Sequence, residues 1–176
     1  MRNNTIENLQ VHSHMVAVIA HALAVIRQNV FGRSSNPGLA VQIALFHDSS
    51  EIFTGDMPTP IKYYDPEIME AYKKVESVAM RKLLTALPFE LRPVYKEILS
   101  PDAEGEVYAL VKAADSLAAY IKCIEELNTG NTEFRLAAKQ CKAKLDSMDL
   151  EEVGYFFDNF MPAFELTLDE LDFSIE

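Results

Sequence analysis

The run from Glu7 to Gln28, in which apolar residues follow one another almost without gaps, constrains the fold of this chain more than any other feature. It is longer than an ordinary strand and rich in alanine, so it predicts a helix buried on most sides, with other elements packed around it. Its most apolar part, Met15 to Ile26, is interrupted by His21 and is shorter than the ~20 residues a membrane span requires. A central core helix is the expectation.

The rest of the sequence supplies helices to cover it. Asn36 can cap a second helix with Pro37 at its first position, continuing through Val41, Ala44 and Leu45 towards Phe53 and carrying the pair His47-Asp48. Gly55, Pro58 and Pro60 then break the pattern, which predicts an ordered loop from Thr54 to Tyr64. Asp65-Pro66 repeats the cap and first-turn signature for a third helix, with Met69, Tyr72, Val75, Ala79 and Leu83 at helical spacing up to Pro88. A short helix is expected from Phe89 to Leu99. A long one runs from about Gly105 to Leu127, holds Asp115 in its middle and stops at Asn128-Thr129-Gly130. Thr132 can cap the next, Asp149 with Glu152 has the form of a capping box, and Thr167 with Glu170 offers another start. No stretch alternates as a strand does, and no internal repeat is evident. The reading is one all-α domain over residues 1–176, a length sufficient for one sizeable core.

Apolar residues make up 49% and charged residues 24% of the chain, the balance of a soluble globular protein. The net charge of −11 opposes nucleic-acid polymers and anionic membrane surfaces as partners. A small phosphorylated ligand meets the same repulsion and needs a local cation, such as a metal ion, to overcome it. Cys123 and Cys141 are the only cysteines, and no secretory signal opens the chain, so a reduced, cytoplasmic protein is expected.

His47-Asp48 places two metal-binding side chains ~100° apart around one helix, where both can lean towards a common groove. The dipeptide alone is weak evidence, because a histidine beside an aspartate is usually a chance neighbour. Two further features give it weight. Histidines precede it on a separate helix, and Asp115 sits among Lys112, Ala113, Ala114 and Leu117, where an unpaired carboxylate would be costly. A salt bridge to lysine or a bond to a metal would each satisfy Asp115. Two imidazoles and two carboxylates suit a six-coordinate ion such as Co²⁺, Mn²⁺ or Mg²⁺, or zinc in an open site. Such an ion polarises a phosphoryl oxygen and lowers the pKa of bound water. Helical geometry leaves the N-terminal ligand open: His14 and His21 are seven apart and share a face, while His12 lies nearly opposite both.

Glu51, four residues beyond His47 and three beyond Asp48, falls on the same helical face and is a candidate general acid or base. An exposed glutamate at a helix end is the ordinary alternative. Lys62 and Lys112 are candidate phosphate contacts, although most lysines are simply solvated. Asp56, after Gly55, has the setting of a turn aspartate before Pro58.

The order His12, His47-Asp48, Asp115 resembles the HD-domain metal-dependent phosphohydrolases. The extended run from His47-Asp48-Ser49-Ser50-Glu51 through Gly55-Asp56-Met57-Pro58-Thr59-Pro60 to Tyr63 is similar to their bacterial 5′-deoxynucleotidase (YfbR-like) branch. Glu7-Asn8, Ala20-His21-Ala22-Leu23, Val111-Lys112-Ala113-Ala114-Asp115 and Lys122-Cys123-Ile124-Glu125-Glu126-Leu127 extend the likeness over nearly the whole chain. The resemblance implies an HD-type helical bundle with the metal site between core helices. It selects His12 as the ligand beside His47, Asp48 and Asp115, and leaves His14 and His21 as packing or hydrogen-bonded residues. It further implies hydrolysis of deoxyribonucleoside 5′-monophosphates to deoxynucleoside and phosphate, with one divalent ion, Co²⁺ or Mn²⁺ favoured, in a homodimer. Asp56 is then expected near the sugar, bonded to its 3′ hydroxyl.

Two departures qualify the likeness. Relatives carry an additional N-terminal stretch with an Arg-Trp pair that meets the nucleotide, whereas this chain begins Met1-Arg2 and has no tryptophan. The expectation is a start upstream of Met1 or a pocket lacking that part. Val11 stands where the best-known relatives have a glutamate, which removes a possible outer-shell hydrogen bond. The competing expectations are a phosphohydrolase of the same fold acting on a nucleoside polyphosphate or phosphodiester, and a helical binding or dimerisation module without turnover.

Overall fold

The computed structural model describes residues 7–55, 65–164 and 166. Helix α1 spans Leu9–Asn29, and Asn8 caps it by accepting the Val11 N–H at 3.0 Å. Helix α2 is Pro37–Phe46, capped in the same way by Asn36 through Leu39 N–H, also at 3.0 Å. After the short α3 (Glu51–Thr54) come α4 (Pro66–Ala86), a 3₁₀ turn with α5 (Arg92–Leu99), α6 (Glu106–Asn128), α7 (Arg135–Asp146) and α8 (Glu151–Asn159). Among the described residues no strand occurs, and the expected all-α class is what the chain adopts.

Helix α1 packs against α2, α6 and α8, which makes it the central element the apolar run predicts. Val16, Ala20, Leu23 and Ala24 are fully buried against Ala40 and Ala44 of α2 and Leu110, Ala114 and Leu117 of α6. Small residues on all three helices let them pack closely, and that closeness brings polar side chains borne by or next to them within reach of one another. The helix extends well beyond the Met15 to Ile26 stretch, and over Leu9–Asn29 it is, against expectation, long and apolar enough to cross a membrane, with a mean hydropathy of 1.6. Its packing, not its length, marks it as a core helix.

Several expected boundaries shift for local reasons. The second helix does not reach Phe53. It stops at Phe46, because residues 47–52 pass through i→i+3 turns, with Ser49 N–H bonded to Phe46 O and Glu51 N–H to Asp48 O. Thr132 lies inside a 3₁₀ turn over Thr132–Phe134 rather than at a cap. Helix α4 starts as expected, Asp65 accepting the Glu67 N–H at 2.6 Å, but of its spaced apolar residues only Tyr72 and Ala79 are buried, and Val75 is exposed. The start at Thr167 and Glu170 lies outside the described residues.

The expected capping box at Asp149 and Glu152 does not form. Asp149 takes a positive φ of 50°, and Glu152 turns inward, fully buried, to meet Arg27 of α1. Arg27 Nη1 donates to Glu152 Oε1 at 3.0 Å, and Nη2 reaches Glu106 Oε1 at 2.8 Å, so one guanidinium ties α1 to α6 and α8. Charge burial of this kind is retained only while both partners are present. Glu152→Ala should therefore cost about 3–5 kcal/mol, whereas the double replacement Arg27→Met/Glu152→Leu should cost far less, because no buried charge is left unpaired and Glu106, which loses Arg27, is exposed to water. Denaturant unfolding of the two variants reads the difference.

Candidate metal centre

Three elements converge at one end of the core. His12 lies in the first turns of α1, His47 directly follows α2, and Asp115 sits in the middle of α6. One donor atom from each of His12, His47 and Asp115 lies within 4.8 Å of the other two. His12 Nε2 is 3.3 Å from Asp115 Oδ1 and 3.6 Å from Asp48 Oδ2. His47 Nε2 is 3.0 Å from Asp48 Oδ2 and 3.8 Å from Asp115 Oδ1. Nitrogen and oxygen ligands ~2.1 Å from a common ion stand roughly 3.0–3.4 Å apart, so these separations are of the size a single cation requires.

The orientation of His47 adds to the fit. Its Nδ1 lies 2.7 Å from the Ala44 carbonyl, which can only accept, so Nδ1 carries the proton and Nε2 is directed at the two carboxylates. The His47 side chain is 2% exposed, and its Nε2 is buried without a hydrogen-bond partner, 3.0 Å from Asp48 Oδ2. Orphaned buried nitrogens are rare, and an electrophile at this position would satisfy it. Asp48 and Asp115 are each just over a quarter exposed, so the cluster is closed on the His47 side and open on the carboxylate side.

The electrostatics point the same way. The Asp115 bond, with Glu7 behind it, raises His12 from 6.5 to about 10. Burial pulls His47 down, but Asp115 and Asp48 outweigh it and raise the ring to about 9. Asp115 is pushed up by its own burial and held far below the usual carboxylate range by the two imidazoles. The carboxylates thus demand positive charge at this spot. Protons on the two rings can supply it, and so can a divalent ion, which displaces those protons on binding.

Of the other expected site residues, Glu51 opens α3 and is partly buried. The shared helical face does not exist, because α2 ends before His47; turns, not a continuous helix, connect Glu51 to the pair. Lys112 lies on α6 one turn before Asp115, exposed, with Nζ 5.3 Å from the Tyr108 ring centroid. Against partial desolvation, Tyr108, Asp115 and Asp48 hold its ammonium above the ordinary lysine value. Asp56 and Lys62 lie outside the described residues. His14 and His21 are both exposed on the outer face of α1, so of the packing or hydrogen-bonded roles expected of them, packing does not hold.

Two residues reach the cluster without having been given a role from the sequence. Glu7, just before α1, places Oε1 3.3 Å from His12 Nδ1, and its Oε2 pairs with Lys122 Nζ on α6. His12 first, with Lys122 assisting against burial, holds the Glu7 carboxyl down at about 2. Both belong to segments that carry the family likeness, which was the available signal.

The family model described as "5'-deoxynucleotidase YfbR-like" matches residues 1–164. A 5′-deoxynucleotidase of Vibrio cholerae is 48% identical over 172 residues, covering 97% of this chain and 89% of the relative. The Escherichia coli 5′-deoxynucleotidase YfbR is 44% identical over 172 residues, covering 97% and 86%. Among solved structures, an HD-domain phosphohydrolase from Listeria innocua superposes with a TM-score of 0.81 at 24% identity, over 93% of this chain and 79% of that one, a likeness of fold.

Proposed function

This chain belongs to the YfbR-like 5′-deoxynucleotidase family, and from that premise we propose that it hydrolyses deoxyribonucleoside 5′-monophosphates to deoxynucleoside and phosphate at the His12, His47, Asp48 and Asp115 cluster. The observation that carries the reading is the buried Nε2 of His47, which has no hydrogen-bond partner and faces two carboxylates while Ala44 O fixes the ring through Nδ1. A divalent ion, with Co²⁺ or Mn²⁺ favoured by the family resemblance among those the N and O donor set suits, would supply a Lewis acid for the phosphoryl group and acidify water beside it.

The chain's own residues have separable parts in this scheme. His12, His47, Asp48 and Asp115 would hold the ion, and the open carboxylate side leaves room for the phosphate. Glu51, close in sequence to Asp48 through the turn, would take the proton from the attacking water or give one to the leaving 5′ oxygen. Lys112, a cation held near Asp48 and Asp115, would steady charge on the phosphoryl oxygens. Asp56 would bind the sugar hydroxyl and Lys62 a phosphate oxygen. Exposed apolar side chains on α3 and α4, Ile52 at 65%, Phe53 at 58% and Val75 at 51%, support a second copy of the chain as partner.

The test is a substrate panel at fixed Co²⁺: deoxynucleoside monophosphates, their ribo counterparts, a deoxynucleoside triphosphate and a phosphodiester. Release of inorganic phosphate from the deoxy monophosphates, well above the others, is the expected result. Preferential turnover of the triphosphate or diester would move the chain to another phosphohydrolase specificity. No turnover of any member would favour a binding module.

A further inference from the structure

Glu7 and Lys122 stand outside the candidate ligand set, yet they form one connected chain with it. Glu7 divides its two oxygens, Oε1 facing His12 Nδ1 at 3.3 Å and Oε2 pairing with Lys122 Nζ. Lys122 is seven residues beyond Asp115 on α6, so both project from one face of that helix, two turns apart. A single helix therefore supplies a carboxylate directly to the cluster and a cation that reaches it through Glu7.

This arrangement answers a physical problem. A histidine that binds a metal through Nε2 must keep its proton on Nδ1, and an acceptor behind Nδ1 fixes that tautomer and the ring orientation. His47 has Ala44 O for this purpose, within its own helical turn. His12 has Glu7, which precedes the Asn8 cap and is not held by helical geometry. A third carboxylate beside Asp48 and Asp115 would also be repelled from its place or drawn towards the ion itself. Lys122 counters both tendencies by neutralising Glu7 and occupying its second oxygen. The side chains of Glu7 and Lys122 are 22% and 28% exposed and line a cavity of about 240 Å³ together with Met15 and Ile121, so the pair is partly shielded from solvent.

Resting on the metal-centre reading above, we propose that Glu7 and Lys122 are positioning residues for metal binding: Lys122 anchors Glu7, and Glu7 holds His12 in the tautomer and orientation that present Nε2 to the ion. Val11 does not serve this purpose, because it points outward at 57% exposure.

The test is calorimetric titration of Co²⁺ into chelator-treated full-length protein, using the wild type and the variants Glu7→Gln, Lys122→Met, Lys122→Arg and the double Glu7→Gln/Lys122→Met, with thermal unfolding as the folding control. Loss of an outer-shell partner typically weakens metal affinity about 10- to 100-fold, and Glu7→Gln should fall in that range. Lys122→Met should weaken binding about 10-fold, Lys122→Arg should recover most of it, and the double variant should bind no more weakly than Glu7→Gln alone, because the lysine acts through the glutamate. A merely structural lysine would give additive losses and no rescue by arginine. Wild-type affinity in Lys122→Met, or additive losses in the double, overturns the proposal while leaving the metal centre standing. If Lys122→Met unfolds, Glu7→Gln and Lys122→Arg still decide it: unchanged affinity in Glu7→Gln overturns it. A wild type that takes up no ion removes the metal-centre reading and this inference together.

Discussion

Replacing His47 by alanine should abolish metal retention and lower phosphate release from a deoxynucleoside monophosphate on the order of 10³-fold or more. Three features concentrate the effect on this residue. Its side chain is 2% exposed, it faces both Asp48 and Asp115, and Ala44 O fixes its ring through Nδ1. Alanine would leave two carboxylates facing a hole, with His12 the sole imidazole between them. The measurement is metal content by elemental analysis beside initial rates at saturating substrate. Folding must be read in parallel by circular dichroism, and the expected outcome is a helical protein without its ion.

Glu51→Gln should behave differently. Glutamine keeps the shape of the side chain but cannot exchange a proton, so kcat should fall about 10²- to 10⁴-fold with Co²⁺ affinity near that of the wild type. A pH profile sharpens the expectation, since the limb that reports the essential proton-transfer group in the wild type should flatten in the variant. A change confined to KM would assign Glu51 to binding instead, and a matched fall in metal affinity would assign it to the ligand set.

The fold was legible because caps and breakers are local. Asn36 and Asp65 each accept a backbone N–H at the start of the helix they precede. Pro88 ends α4 within two residues of the expected place. What escaped depends on distant partners. Glu152 has the spacing of a capping residue, but Arg27, 125 positions earlier, offers a buried charge and wins it. The end of α2 was also hidden, because i→i+3 turns after Phe46 need no glycine or proline to form.

The site was legible in uneven parts. Asp115 stood out as a carboxylate among apolar neighbours. His12 did not, because α1 is apolar on nearly every side and its inward stripe could not be told from the outward one. Val11 and Val18 look like core residues, yet they are 57% and 55% exposed. With Val16, Ala20 and Leu23 known to be buried, stepping back one turn from Val16 reaches His12, whereas His14 and His21 fall on the exposed side. Family likeness selected the same histidine before the stripe could be seen. Glu7 and Lys122 carried the likeness too, but their pairing spans 115 residues, and neither propensity nor periodicity encodes such a contact.

The most direct measurement is phosphate release from a deoxynucleoside 5′-monophosphate by the purified protein, first as isolated, then after exhaustive chelation, then after Co²⁺ or Mn²⁺ is returned. A metal-dependent deoxynucleotidase centred on His12, His47, Asp48 and Asp115 should lose turnover on chelation and regain it as about one equivalent of ion binds, with His47→Ala regaining none. Turnover that survives chelation with no metal left in the protein, or that returns equally in His47→Ala, would contradict it.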